Sequence, residues 1–394
     1  MTISAQPSTL LDLHDRYESF KISSIVSRRF TQEEFLTWVA PAVASGVISS
    51  EHVGTSGEGR PLALYRFGSG PIKILMWSQM HGDESTATMA LADIFSFFRL
   101  EPDHEVVSLL RDRISLYVLP MLNPDGAARF QRRTSTKIDI NRDALRLATP
   151  EARTLKSVRD RLRPEFGFNL HDQDPRYTVG TTGKMAAIAL LAPPTDESRG
   201  FNDVRTRAKH VAASIASALS VYIPGAVAKW DDTFEPRAFG DNVQKWGTST
   251  VLIESGGWPN DPEKMYLRKL NALALLWSCV VISNGSYASA DPSDYEDLPF
   301  NMRLGFDLKV TNILIQAAGH GAPSRVDIGL NREESHNPET REVTTVWSVE
   351  DLGDLSTYTA YKTLDAGGRI IESETVALEK KLTAEELKSL ISLK

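Results

Sequence analysis

The chain has 394 residues, 44 Lys+Arg against 51 Asp+Glu, a net charge of −7, 41% hydrophobic residues and a single cysteine. That length predicts two domains or three, and the hydrophobic share is ordinary for a chain that buries a core, which excludes wholesale disorder. The lone Cys279 excludes an internal disulfide and metal sites built on several thiolates, and the acidic balance argues against nucleic acid or an anionic membrane as the main partner.

Residues 1–52 read as a helical lead-in. Thr31 precedes Glu33 and Glu34, and Phe35, Trp38, Val39 and Val43 follow at helical spacing. The first twenty residues lack a basic start followed by an apolar run, so no signal peptide is read. No apolar run reaches the length of a bilayer span, and Ala272 to Ile282 comes nearest. The expectation is a soluble, cytoplasmic protein.

From 53 to 284 short apolar runs alternate with amphipathic stretches, the pattern of an α/β sheet. Strands are predicted over 72–77, 114–119, 166–170, 185–191 and 250–253, and helices over 85–98, 150–162, 202–219 and 262–281. Thr149-Pro150-Glu151 is a helix start, with a cap, a proline at the first position and an acid at the positive dipole end. Residues 284–299 are polar with Gly and Pro and read as a linker. The region 300–394 changes texture: runs at 306–315, 324–330, 343–348 and 357–363 alternate like strands, and Thr383-Ala384-Glu385-Glu386 is a capping box. The fold class expected is α/β with a small β-rich domain after it.

In open α/β sheets ligands bind beyond the carboxyl ends of the strands. The first predicted strand is followed by SQMHGDES, the second by PMLNPDG, the third by HDQD and the last by ESGGW. His81 and Glu84 stand three apart at a strand-to-helix turn, where both can reach one metal ion, and His171 offers a third ligand. Two histidines and a glutamate leave a position open, as catalytic zinc requires. His336 and Glu339 share the spacing but have no third ligand. Glu254 ends an apolar strand, where desolvation favours a raised pKa and the role of a base. The run from Arg129 to Asp143 is strongly basic, and Asn141-Arg142 beside a metal site makes a forked anion binder.

In this order, HGDE, NPDG, RRT…DINR, LH and IESGG resemble the zinc carboxypeptidases of the digestive carboxypeptidase A/B family. Gly54-Thr-Ser-Gly-Glu58-Gly-Arg60-Pro matches that family's early strand-turn. The resemblance covers residues 53 to 281. It implies a mixed-sheet, phosphorylase/hydrolase-like catalytic domain that holds one Zn2+ per chain on His81, Glu84 and His171. It implies Glu254 as the base acting on a zinc-activated water and Arg132 as the oxyanion donor, with Arg133 the off-by-one alternative. Asn141 and Arg142 would clamp a terminal carboxylate, Asp139 would orient His81, and Arg237 and Asp241 lie near where the family builds its side-chain pocket. The activity implied is hydrolysis of a C-terminal peptide or peptide-like amide bond. A zinc-dependent deacylase or murein-peptide amidase is the alternative on the same scaffold, and a non-catalytic binding module the rival from another class. The family's tyrosine two residues after the third ligand is here Gln173, and 231–247 has no tyrosine; neither Tyr177 nor Tyr222 aligns as a replacement. The β-rich region reads as structural or as a surface for oligomerisation, and Cys279 as a buried, inert thiol.

Overall fold

The computed structural model describes residues 7–317 and 320–391. The chain divides into two compact units: one runs to Pro175 and resumes over Ala187–Asn301, and the other joins Arg176–Ala186 to the residues from Met302 onward.

Strands β1 (Ser49–Thr55), β2 (Pro61–Phe67), β3 (Ile72–Ser78), β4 (Ile114–Leu119) and β5 (Phe166–Asp172) are followed by the two-residue β6 (Thr178–Val179), then β7 (Ile188–Leu191), β8 (Val227–Lys229) and β9 (Ser249–Ser255). All but β6 form one eight-stranded sheet in the order β1-β2-β4-β3-β5-β9-β7-β8. The central strands β4, β3, β5 and β9 are parallel neighbours, whereas β7 runs antiparallel to β9 and β2 antiparallel to β4. Sequences such as Ile-Leu-Met-Trp in β3 are buried on both faces, as a central parallel strand requires. The chain leaves β3 for β4 on one side and then crosses over β3 to place β5 on the other. The carboxyl ends of β3 and β5 therefore open a crevice at a switch point of the sheet.

Helices cover both faces: α1 (Pro7–Phe20), α2 (Gln32–Ala44), α3 (Thr86–Leu100), α4 (Glu105–Arg113), α5 (Pro124–Ala127), α6 (Pro150–Leu162), α7 (Asp203–Ser220), α8 (Phe239–Lys245) and α9 (Met265–Ser283). One face packs α1 to α4, α7 and α9 against residues such as Ile74, Phe168 and Ile253. The other packs α6 and α8 against Leu75, Trp77 and Leu119. Helix α9 is long and apolar enough to cross a membrane, contrary to the sequence reading, but 83% of its apolar window is buried inside the protein. Cys279 lies within it, and burial pushes its thiol up to about 12.

Two boundaries need correction. Residue 52 divides nothing, because Leu13, Tyr17, Phe20, Phe35 and Val39 belong to the main core. Segment 284–299 is packed rather than a free linker: Tyr295 is buried, and its hydroxyl oxygen accepts from the Ala192 N–H at 3.1 Å. Tyr295 lies in α10 (Ser293–Glu296).

In the second unit the β-rich texture is as expected, with an addition. The two-residue β10 (Asn301–Met302) straddles the division of the chain at Asn301, and the unit's own strands are β11 (Gly305–Ala317), β12 (His320–His336), β13 (Val343–Gly353), β14 (Thr359–Asp365), β15 (Ile370–Glu372) and β16 (Lys381–Leu382). The sheet order is β14-β11-β12-β13-β16, with β15 beside β11, over a core of Leu308, Val310, Ile328, Leu330 and Val349. Helix α11 (Ala384–Ile391) starts at the predicted box: Thr383 N–H donates to Glu386 Oε2 at 2.8 Å and Glu386 N–H to Thr383 Oγ1 at 3.2 Å. The addition is 176–186, which the sequence reading left inside the catalytic region. The Arg176 carbonyl oxygen and Met185 Sδ would lie 2.5 and 2.8 Å from any Cβ at Gly305. The predicted strand at 185–191 accordingly begins at Ile188.

Candidate active site

The site is assembled at the carboxyl end of β3. The chain leaves that strand through Gln79, at φ 51°, and turns so that His81 and Glu84 face the crevice. The motif 123–126 braces this turn: Leu122 and Asn123 N–H donate to the carbonyls of Ser78 and Gln79, each at 3.0 Å. Asn123 Oδ1 accepts from Gly126 N–H at 2.9 Å. The glycines of both motifs are close approaches. A Cβ on Gly82 would lie 2.1 Å from the Gly126 carbonyl carbon, and one on Gly126 would lie 2.4 Å from Asn123 Nδ2. Buried Asp125 ties in the early strand-turn, accepting from Ser56 Oγ at 2.7 Å, Glu58 N–H at 2.8 Å and Arg60 at 2.6 Å.

His171 is brought in from β5. Its Nδ1 lies 2.7 Å from Glu84 Oε2 and 3.2 Å from His81 Nδ1, while His81 Nδ1 lies 2.7 Å from Glu84 Oε1. All three side chains are buried. Their ligand atoms fall within 4.8 Å of one another, which among the described residues makes this the one His/Asp/Glu group able to hold a metal ion. Ligands on one tetrahedral zinc lie roughly 3.3 Å apart, so the spacing fits. On the far side of the ring, His81 Nε2 sits 3.0 Å from Asp139 Oδ1. An ionised carboxylate only accepts, so Asp139 favours an N–H on His81 Nε2, the tautomer that would leave the Nδ1 lone pair for a bound metal ion.

The electrostatics follow from burial and charge. Burial works against charge on His81, but Glu84 and Asp139 outweigh it and raise the ring to about 8. Burial lowers His171. Burial opposes the charge on Glu84 too, yet His81 and His171 hold that carboxyl well below its ordinary range. Glu254 goes the other way. It is the register partner of His171 across β5 and β9, so the two side chains share a face. Burial, then the charges of Glu84 and Asp172, push its carboxyl well above the usual range. Its Oε2 is buried with no hydrogen-bond partner among the described residues.

Arg132 closes the group. It donates to Glu84 Oε1 at 2.9 Å and to Asp139 Oδ2 at 3.2 Å, with 44% of its side chain exposed. Arg133 points elsewhere, to the Lys137 carbonyl at 3.1 Å. Asn141 and Arg142 follow Asp139 directly, and Asp139 Oδ1 accepts the Asn141 N–H at 2.9 Å. The Asn141 side-chain carbonyl is engaged by Phe239 N–H at 2.9 Å, and Arg142 Nε lies 3.3 Å from Glu235.

Arg237 and Asp241, expected near the side-chain pocket, both contact Glu235. Exposed Arg237 forms a fork with Glu235 at 2.9 Å to each oxygen. Buried Asp241 accepts the Glu235 N–H at 3.2 Å, a turn-holding contact. Gln173, in the family's tyrosine position, is buried, and its Oε1 accepts from Asn301 at 2.8 Å. Tyr222 stacks on His14.

Sequence reasoning missed a buried pair beside Glu254. Lys264 Nζ donates to Asp172 Oδ2 at 3.1 Å and to the Ser255 carbonyl at 3.0 Å. Asp172 was visible as a neighbour of His171, but no local pattern marks Lys264.

Residues 42–163 match the family model described as zinc carboxypeptidase, a segment that holds His81, Glu84, Arg132, Asn141 and Arg142. Probable carboxypeptidase 2 of Trichophyton verrucosum is 30% identical over 112 residues, 28% of this chain and 20% of that protein. Carboxypeptidase 2 of Trichophyton rubrum is 29% identical over 110 residues, 27% of this chain and 19% of that protein. The chain thus spans about a fifth of the length of the curated relatives it matches. Among solved structures, a metallo-carboxypeptidase from Burkholderia cenocepacia superposes with a TM-score of 0.52 at 16% identity, covering 65% of this chain and 70% of that one. Carboxypeptidase A of Helicoverpa armigera gives 0.51 at 14% identity, over 72% of this chain and 81% of that one. The fold is that of the metallocarboxypeptidases with a β-rich region after it, and the matched family is one of zinc enzymes.

Proposed function

We propose that this chain is a zinc metallocarboxypeptidase that hydrolyses the C-terminal amide bond of a peptide or peptide-like substrate. The observation that carries the reading is the convergence of His81, Glu84 and His171 at the switch point of the sheet, with Glu254 in register beside His171. A zinc ion held there supplies Lewis acidity, polarising a carbonyl oxygen and lowering the pKa of a water.

The chain's own residues supply the rest. Glu254, buried and raised, is suited to take a proton at neutral pH and return it to the leaving amine. Arg132, anchored by Glu84 and Asp139 but partly open to solvent, offers N–H donors where negative charge develops on oxygen. Asp139 holds the tautomer of His81. Arg142 and the Asn141 amide clamp the terminal carboxylate, which takes the place of Glu235 on Arg142.

The test is Glu254→Gln in the zinc-loaded protein, assayed on N-blocked dipeptides. The expected fall in kcat is about 10²–10⁴-fold with zinc content unchanged, and a near-normal rate would remove Glu254 as the base. N-acyl amino acids and murein peptides in the same panel separate the deacylase and amidase alternatives.

A further inference from the structure

Lys264 breaks two local rules. It sits at φ 58°, ψ 32° immediately before α9, in the left-handed region that glycine or asparagine fills at less cost. It also places an ammonium at the positive end of the helix dipole, where an anion belongs. Capping does not account for it. Asp261 already serves the first turn of α9, accepting from the N–H groups of Met265 at 2.7 Å, Tyr266 at 3.0 Å and Leu267 at 3.2 Å. Nor does solvation account for it, since the residue is buried, and a buried ammonium is costly unless it is paired. A residue that violates local preference twice is held by what its side chain does in the fold.

That side chain joins the pieces that carry the site. Its Nζ donates to Asp172 Oδ2 at 3.1 Å and to the Ser255 carbonyl at 3.0 Å. Asp172 and Ser255 are register partners at the carboxyl ends of β5 and β9, one step beyond His171 and Glu254. Asp172 in turn accepts from Thr86 Oγ1 at 2.6 Å, and its N–H donates to Glu84 Oε2 at 3.2 Å. One ammonium thus ties the residue after the third ligand to the residue after the base, and through Asp172 reaches Glu84 and the start of α3. Asp172 Oδ1 is buried with no hydrogen-bond partner among the described residues, so the pairing with Lys264 falls on Oδ2 alone. An ammonium has three donors, enough to hold a carboxylate and a carbonyl from two strands at once. Resting on the carboxypeptidase reading, we propose that Lys264 is a positioning residue: it sets the placement of Glu84 and His171 relative to Glu254 by fastening the ends of β5 and β9 together.

The test separates positioning from simple stabilisation. Lys264→Met and the double variant Asp172→Asn with Lys264→Met are compared with the parent full chain. The double variant removes the carboxylate's charge together with its cation, so no unpaired ion is left buried. Zinc affinity is measured by competition with a chelator, kcat and KM on N-blocked dipeptides at saturating zinc, and thermal unfolding alongside. In Lys264→Met zinc should bind about ten-fold more weakly, within the range for groups that orient metal ligands. Its kcat should fall at least about ten-fold with KM within about three-fold. The double variant should regain most of the melting temperature yet keep both losses, because the two strand ends are still unfastened. Parental zinc affinity and kcat in Lys264→Met, or recovery of both in the double variant, would overturn the proposal. If Lys264→Met fails to fold, the double variant decides by the same two readouts. A parent chain that binds zinc but hydrolyses no dipeptide sinks the carboxypeptidase reading, and the zinc affinities then decide by themselves whether Lys264 positions the ligands.

Discussion

At the scale of single residues, the same side chain type takes opposite charge states according to its surroundings. Glu84 is held anionic by two imidazoles, while Glu254, comparably buried but facing the charges of Glu84 and Asp172, has its carboxyl pushed well above the usual range. Asp241 belongs with the second kind. Burial, with the nearby Glu235 charge adding to it, raises its carboxyl to about 6. The unfolded chain has a value near 3.9, so the folded state binds this proton more tightly. The contribution is fully present below about pH 4 and is lost as pH rises through about 6, where folding must pay for burying the ion. Asp241→Asn keeps an oxygen for the Glu235 N–H and removes the ionisation. Its melting temperature should match the parent near pH 4 and exceed it at pH 8, and equal melting curves at both values would disprove this account.

At the scale of elements, α1 and the connection after it are tied to α3 and α9 through a buried ion pair. Arg268 of α9 grips Asp93 of α3, with Nε–Oδ2 at 2.6 Å and Nη2–Oδ1 at 2.5 Å. The same guanidinium donates to the carbonyls of Ile22 and Ile25, and Asp93 accepts from the Tyr17 hydroxyl and the Ile22 N–H. Three elements and the connection after α1 thus meet at one carboxylate. Arg268→Met should cost roughly 3–5 kcal/mol, because it leaves Asp93 buried without its cation. A urea midpoint corresponding to less than about 1 kcal/mol of loss, with an unchanged m-value, would show the pair to be dispensable. The turn that carries His81 and Glu84 is set by another such meeting, where Gly82 lets two loops touch backbone to backbone.

At the scale of the whole molecule, the β-rich unit is built from two separated pieces of chain. Within it, Thr178 Oγ1 donates to the Met302 carbonyl at 3.1 Å, Arg176 pairs with Asp307 at 3.5 Å, and Gly305 accommodates Arg176 and Met185. A chain ending at Asn301 would leave 176–186 without these partners. Limited proteolysis should then cut within 176–186 in the truncated protein and spare it in the full chain, and equal resistance in both would contradict the two-piece unit.

Much of the molecule was legible in one dimension, because period and punctuation are local. The strand at 114–119 and the helix at 150–162 coincide with β4 and α6. His81, Glu84, Arg132, Asp139, Asn141 and Arg142 lie in short motifs whose spacing carries their meaning. What stayed hidden depends on approach between distant segments. Strand β1 carries no clear alternation because it lies largely exposed at the sheet edge, and the lead-in joins the core only through the packing of α1 and α2. Lys264 reaches Asp172 across 92 residues. The sequence by itself determined the chemical inventory: imidazoles and carboxylates for a metal, a base after an apolar strand, and arginines for anions. Only the tertiary structure decided which arginine meets the metal group, that Arg237 and Asp241 both contact Glu235, and that Lys264 fastens the strand ends beside the ligands. Desolvation and pairing are properties of what surrounds a side chain, and those surroundings do not exist until the chain has folded.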